Sequence, residues 1–241
     1  MSEHPKLSII IPVLNEAALL SRRLGDLAGS VPQATQMIVV DGGSADGSLQ
    51  VAAEHATVLA SPPGRAVQLN RGAAAATGEV LLFLHVDVAL PEDWFGHVRA
   101  ALADPRVVGG SFLIRAEPRS PSLDIITALS NFRSRFRRRF YGDQAIFVEV
   151  EAFVRVGGFD ESLPLMEGYD LTVRLKRLGR IACVPFHVRA SSRRFLDNGV
   201  WRTFFTFHWL KLRYLTGRLS KHHEHLYPPN LPEPRTSDTR Y

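Results

Sequence analysis

The chain reads as short apolar runs separated by amphipathic stretches. Leu7 to Val13 is an apolar run of strand length that stops at Leu14, Asn15 and Glu16. Ala17, Leu20, Leu24 and Leu27 then recur at helical spacing. Met37 to Val40 predicts a second strand, broken by Asp41, Gly42 and Gly43, and a helix follows with Ser44 or Asp46 as its N-cap. Val58 to Ala60 predicts a third strand, Arg65 to Ala76 an alanine-rich helix, and Val80 to Leu84 a fourth strand. Pro91 to Ala103 predicts a helix with Pro91 in its first turn. Strands alternating with helices predict an α/β fold with a mainly parallel central sheet flanked by helices.

The second half is less regular. Val107 to Ile114 predicts a strand, Leu123 to Phe136 a helix, Asp143 to Val148 a strand, Leu171 to Leu178 a helix closed by Gly179, and Val184 to Ala190 a last strand. Between Gly199 and Leu219, Trp201, Phe204, Phe205, Trp209, Leu212 and Leu219 recur at roughly helical spacing among Arg202, Lys211, Arg213 and Arg218. That pattern predicts an amphipathic helix over about 199–220. Its apolar face can meet its own domain, a second subunit of a homodimer, or an anionic membrane surface. The proline-rich polar stretch over 221–241 predicts a disordered tail.

A chain of 241 residues suits a single domain over 1–220, large enough to bury roughly 70–75% of its unfolded surface without disulfide or metal staples. Its single cysteine, Cys183, excludes an internal disulfide, fits a reducing compartment, and lies in an apolar run that predicts a buried packing role. No stretch of about 18 apolar residues and no signal peptide is evident, so a cytoplasmic location is expected, with peripheral membrane contact open. The net charge of +5 is concentrated in arginines of the second half, which points to an anionic ligand or surface. Asn131 to Tyr141 interleaves five arginines with aromatics. Without a recognition module this reads as a basic loop or membrane-facing patch, and no nucleic-acid partner is expected.

In mainly parallel sheets, ligands bind beyond the carboxyl ends of the strands. Asn15–Glu16, Asp41–Gly43 and His85–Asp87 all fall at such ends. Asp87 is the best single candidate. A carboxylate closing an apolar strand suits a divalent cation that keeps waters and shares sites with diphosphate oxygens. On a strand, His85 and Asp87 would share one face. Asp41–Ser44 reads equally well as a turn or a ligand contact, and neither a dinucleotide fingerprint nor a Walker-type loop is present. Glu167 and Asp170 open a predicted helix, where they either complement its dipole or supply a general base.

Taken together these segments resemble family-2 glycosyltransferases of the GT-A fold, and more closely a bacterial subfamily associated with selenium- or arsenosugar-type gene clusters. The matching pieces run in order from Ser8–Glu16 through Val39–Gly47, Gly64–Arg65, Gly72–Gly78, Leu82–Asp87, Gly142–Phe147 and Gly157–Phe159 to Met166–Glu167, Asp170–Leu171 and Arg193–Arg194. The resemblance implies a nucleotide-binding half over about 6–105 and an acceptor half over about 106–198. The donor would be a UDP- or GDP-linked sugar, with an unidentified acceptor. Pro12, Asn15, Glu16, Asp41 and Gly42 would meet the nucleoside, and Asp41 would accept a hydrogen bond from the base. Arg65, Gln68 and Asn70 would form the opposite wall, with His85 and Val86 beside them. Asp87 would be the metal ligand, for Mn2+ or Mg2+, at the last position of the family's Asp-x-Asp motif, whose first aspartate His85 replaces. Gly142, Asp143 and Gln144 would lie between donor and acceptor, and Arg193 and Arg194 would hold the diphosphate. The family places Glu-Asp where this chain has Glu167-Gly168, so the expected base falls to Glu167 or Asp170. Reaction by direct displacement would invert the anomeric centre. A non-catalytic nucleotide-sugar-binding module and a nucleotidyltransferase are the competing readings.

Overall fold

The structure is a computed structural model and describes residues 6–32 and 35–226. The chain runs β1 (Leu7–Val13), α1 (Ala17–Ala28), β2 (Gln36–Asp41), α2 (Ser48–Ala53), β3 (Thr57–Ala60), α3 (Arg65–Ala74), β4 (Val80–Phe83), β5 (Val88–Ala89) and α4 (Trp94–Leu102). It continues with β6 (Val107–Glu117), α5 (Pro121–Arg137), a 3-10 turn (Gly142–Gln144), β7 (Ile146–Glu149), α6 (Val150–Arg155) and α7 (Glu167–Leu175). The last elements are β8 (Arg180–Ser191), α8 (Arg193–Asn198), α9 (Val200–Leu215) and a 3-10 turn (Lys221–Leu226). Among the described residues the strands form one eight-stranded sheet in the order β3-β2-β1-β4-β7-β6-β8-β5. β5 and β7 run against the other strands, so the sheet is mainly parallel.

β1 shows why the sheet sits in the middle. All of its residues are buried, which requires cover on both faces. Successive side chains alternate between faces. Ile9 and Ile11 enter one core with Leu20, Leu24 and Leu27 of α1 and Trp94 and Val98 of α4. Ile10, between them, enters the other with Leu69 of α3, Phe153 of α6 and Leu171 of α7. A small third cluster joins Leu165, Met166 and Tyr169 to Leu210 of α9.

Several boundaries differ from those read in the sequence. α2 begins at Ser48 behind Gly47, so neither Ser44 nor Asp46 is its N-cap. α4 begins at Trp94, capped by Asp93, which accepts the Gly96 N–H at 3.3 Å, so Pro91 lies outside it. Gly142–Gln144 curls into a 3-10 turn and β7 begins only at Ile146, because Ala145 has φ +51°. The short elements β5, α6 and α8 carry no periodicity that the sequence reading could register. Cys183 is half-buried rather than buried. Lys221–Leu226, expected within a disordered tail, forms a turn, and the rest of that stretch lies outside the described residues. Among the described residues no helix is long and apolar enough to cross a membrane.

Candidate functional site

The carboxyl ends of β1 and β2 are drawn together by a clasp between the loops that follow them. Asn15, held at φ +53°, donates its backbone N–H to Ser44 Oγ at 2.8 Å and accepts the Ala45 N–H through Oδ1 at 2.7 Å. The first N–H groups of α1 find their acceptors across the clasp rather than in a cap of their own. Ala17 N–H donates to Asp46 Oδ2 at 2.9 Å and Glu16 N–H to Ser48 Oγ at 3.2 Å. The Glu16 side chain is thereby released to accept from Arg193 at 2.7 Å. Burial raises the Glu16 carboxyl, and Arg193 opposes that rise.

β4 stops at Phe83, so strand alternation does not place His85 and Asp87 on one face as expected. A turn does, closed by Val88 N–H on the His85 carbonyl at 3.1 Å and anchored by Ser191 N–H on the Asp87 carbonyl at 3.0 Å. Arg23, buried on α1, adds a bond to the Val86 carbonyl at 3.3 Å. Two adjoining cavities open here. The larger, about 400 Å³, is lined by Pro12, Glu16, Arg65, Gln68 and Val86 among others. The smaller, about 120 Å³, is lined by Tyr141, Gly142, Asp143, Arg194 and Phe207 among others. Arg65, His85, Asp87, Leu165 and Glu167 border both. A cleft of about 570 Å³ between α4 and the start of β8 carries none of the expected residues and belongs to the opposite end of the sheet.

At the seam the groups are close and poorly solvated. His85 Nε2 is buried without a hydrogen-bond partner, and burial with the Arg65 guanidinium nearby pushes its imidazole down to about 3. The ring is therefore neutral. Gly142 lies against it, where a Cβ would come within 2.7 Å of the ring. Burial pushes the Asp143 carboxyl up to about 6; Arg133 pulls it down and Asp87 adds to the rise. Its Oδ1 is buried and unpartnered. Glu167, buried at the start of α7, faces Arg65 NH1 at 3.6 Å.

Other expected residues stand elsewhere. Asp41 is buried and borders neither cavity; its Oδ2 accepts the Gly43 and Ser44 N–H groups at 2.9 and 3.0 Å, while Oδ1 has no partner. Gly42 closes the β1 end by donating to the Val13 carbonyl at 2.9 Å. Gln68 spends both amide hydrogens on the Val13 and Val40 carbonyls, at 2.9 and 2.8 Å, tying β1 to β2. Asn70 borders neither cavity and fastens the 159–161 segment through Phe159 and Glu161. Gln144 is wholly internal, bonded to the Phe112 carbonyl, Ser134 and Arg133. Asp170, one of the two expected bases, is engaged elsewhere. One oxygen accepts from Arg174 Nε at 2.7 Å and the other from the Tyr214 hydroxyl at 2.8 Å, and it borders neither cavity. Sequence reading gave no site role to Leu165, Tyr141 and Phe207, apolar or aromatic residues of which Tyr141 fell in the arginine-aromatic run over 131–141 and Phe207 in the amphipathic stretch over about 199–220.

The family model described as Glycosyl transferase family 2 matches residues 8–161, the span that carries β1 to β4 with Arg65, His85, Asp87 and Asp143. The chain belongs to that family. This family-2 glycosyltransferase is 30% identical over 188 residues to the PGL/p-HBAD biosynthesis glycosyltransferase of Mycobacterium bovis, across 70% of this chain and 69% of that protein. It is 32% identical over 209 residues to the pre-mycofactocin glycosyltransferase of Mycobacterium tuberculosis, across 79% of this chain but 43% of that one. Among solved structures, mannosyltransferase PcManGT from Pyrobaculum calidifontis, in complex with GDP-Man and Mn2+, superposes with TM-score 0.67 at 20% identity, over 96% of this chain and 67% of that one. Glucosyl-3-phosphoglycerate synthase from Mycobacterium tuberculosis, with Mn2+, UDP and glucosyl-3-phosphoglycerate, gives 0.55 at 23% identity, over 76% and 70%. The fold is GT-A.

Proposed function

We propose that this glycosyltransferase moves a sugar from a UDP- or GDP-linked donor to an acceptor hydroxyl, with a divalent cation on Asp87 and inversion at the anomeric carbon. The observation that carries the reading is the seam itself, where Asp87, Arg65 and Glu167 border both a nucleotide-sized cavity and a smaller one beside it. Bound nucleotides with Mn2+ in structural neighbours support it.

Among the described residues no three His, Cys, Asp or Glu side chains gather as a cation cage. One carboxylate at the cavity boundary fits Mn2+ or Mg2+ only if diphosphate oxygens and water complete the shell, as these hard cations accept. When bound, such a cation offsets the charge that develops on the leaving diphosphate. Arg65 and Arg194 bring positive charge to the same boundary, while Arg193 acts from behind through Glu16. The unpartnered Asp41 Oδ1 is the acceptor for a nucleobase N–H.

Asp143 serves as the general base. Its carboxyl, held near 6, is matched to proton transfer close to neutral pH, and Asp170 is already occupied. The acceptor oxygen bonds to the anomeric carbon, the bond to the diphosphate oxygen breaks, and the acceptor proton passes to Asp143. The nucleoside diphosphate departs. Glu167 orients Arg65 from the rim of the same cleft.

The test is nucleotide binding by thermal shift or calorimetry, with UDP, GDP and their sugars, with and without Mn2+. Mn2+ is expected to tighten binding to the native chain, and Asp87→Ala to abolish that dependence. Unchanged Mn2+-dependent affinity in Asp87→Ala sinks the metal assignment. Tight binding of donors that are never consumed favours the non-catalytic reading, and pyrophosphate release from a nucleoside triphosphate favours nucleotidyl transfer.

A further inference from the structure

Among the described residues, nine of the fourteen large apolar side chains that stand exposed lie on α5 and α9. On α5 they are Ile125, Leu129, Phe132 and Phe136, one stripe at helical spacing. On α9 they are Trp201, Phe205, Trp209, Leu212 and Leu215, a second stripe. α9 does pack on its own domain, through Leu210 and through the Tyr214 hydroxyl on Asp170, but that contact uses its other side. The two helices are in contact, and Lys211 of α9 lies within the field of Arg133 and Arg137 of α5 and of Arg139 just beyond it. An exposed apolar surface this concentrated marks a contact site.

Charge decides between the occupants. From Gly199 to Arg218 there is no Asp or Glu, and the cations are Arg202, Lys211, Arg213 and Arg218. From Arg119 to Tyr141 the single acid is Asp124, already paired with Arg119 at 2.9 Å. A second copy docked on this face would set arginines against arginines, at a cost that few carboxylates could offset. An anionic lipid surface meets both features. Its headgroups attract the cations, and Trp and Phe side chains settle at the boundary between headgroup and acyl chain.

We propose that the joint face of α5 and α9 docks this glycosyltransferase onto an anionic membrane surface. Phe207 of α9 lines the smaller cavity, so docking holds the cleft close to the lipid. The contact is peripheral, lying along the helices rather than across the bilayer.

The test is flotation of the full chain with phosphatidylcholine vesicles, with and without phosphatidylglycerol, at low and high salt. Binding is expected to anionic vesicles and to weaken with salt. Phe136 and Phe205 are 71% and 64% exposed, so the double variant Phe136→Ser with Phe205→Ser keeps its fold, checked by an unchanged melting temperature. It is expected to lose at least about tenfold in vesicle affinity. Arg135→Gln with Arg137→Gln is expected to weaken only the anionic component. Equal binding to neutral and anionic vesicles, no flotation of the full chain, or flotation of the Phe double variant like the native chain each overturns the proposal. So does a dimer in analytical ultracentrifugation that the same double variant dissolves, because the face is then a subunit interface. Nucleotide binding without vesicles stays at the native level in these variants; its failure in the native chain strikes the catalytic reading and leaves the membrane face standing.

Discussion

Asp143→Asn separates a functional carboxylate from a structural one, because the two give opposite signs. The Asp143 carboxyl sits at about 6 against an ordinary 3.8, mainly through burial. Below about pH 4 the folded and unfolded chains both hold the proton and the group costs nothing. Between the two values only the folded chain holds it. Above about 6 the folded chain must ionise a buried carboxyl, and the penalty levels off at about 3 kcal/mol. Stability therefore falls as pH rises through this window, and the asparagine, which cannot ionise, is spared.

For a chain of this size 1 kcal/mol moves the melting temperature by about 2–4 °C. With chelator present to exclude divalent ions, Asp143→Asn should melt close to the native chain near pH 4 and about 6–12 °C above it near pH 8. The same variant should lose about 100-fold or more in transfer rate if the carboxylate takes the acceptor proton. The assay is a melting series across pH for both proteins, followed by donor turnover. A melting difference that stays flat with pH, or an asparagine variant less stable at pH 8, refutes the burial argument. Full turnover in Asp143→Asn moves the base to Glu167.

Two further substitutions address the surroundings of the cleft. Asp170→Asn weakens its i,i+4 pair with Arg174 within α7 and the tie from α7 to Tyr214 of α9, which should cost about 2 kcal/mol while leaving donor turnover per folded molecule unchanged; a large loss of turnover at unaltered stability returns Asp170 to the chemistry. Gly168→Asp, which would restore the family's Glu-Asp pair, should destabilise by about 1–3 kcal/mol without raising activity, since its Cβ meets Gly142 N at 2.8 Å and Ile146 Cδ1 at 3.0 Å; denaturant melts and turnover check both.

The strand skeleton was legible because burial on both faces leaves a simple mark. A run such as Leu7–Val13 matches its strand from end to end, and the polar residues that stop such runs fall at the ligand end of the sheet. What the sequence could not distinguish was a polar side chain that meets a ligand from one that closes the frame. Gln68, Asn70 and Gln144 lie within matching motifs, yet each satisfies backbone carbonyls or loops. Their orientation depends on partners between about 10 and 90 residues away, which no local period encodes. The engagement of Asp170 was hidden for a related reason, because its partner Tyr214 comes from a helix whose docking was unknown. Tyr141 and Phe207 received no site role since an aromatic at a cavity wall looks like one in a core. The narrower resemblance to selenium- or arsenosugar-associated enzymes rests on motifs alone and has no counterpart in the names of the relatives described above.

The two departures from the family pattern, His85 for an aspartate and Gly168 for another, look unrelated in the sequence and are joined in space. His85 lies against Gly142, where any side chain would strike the ring at 2.7 Å. Gly142 in turn fills the space that a side chain at 168 would need. The three positions form a column in which each member sets the room left for the next. A carboxylate at 168 is excluded by the backbone that carries Asp143, and Asp143 brings its own carboxylate to the cavity that Gly168 also borders. The loss of one acid and the presence of the other are then one arrangement. Residues in such contact do not act independently. Hence His85→Asp, which shortens the side chain against Gly142, should lessen the destabilisation caused by Gly168→Asp. Strict additivity of the two melting shifts would show that the column transmits nothing.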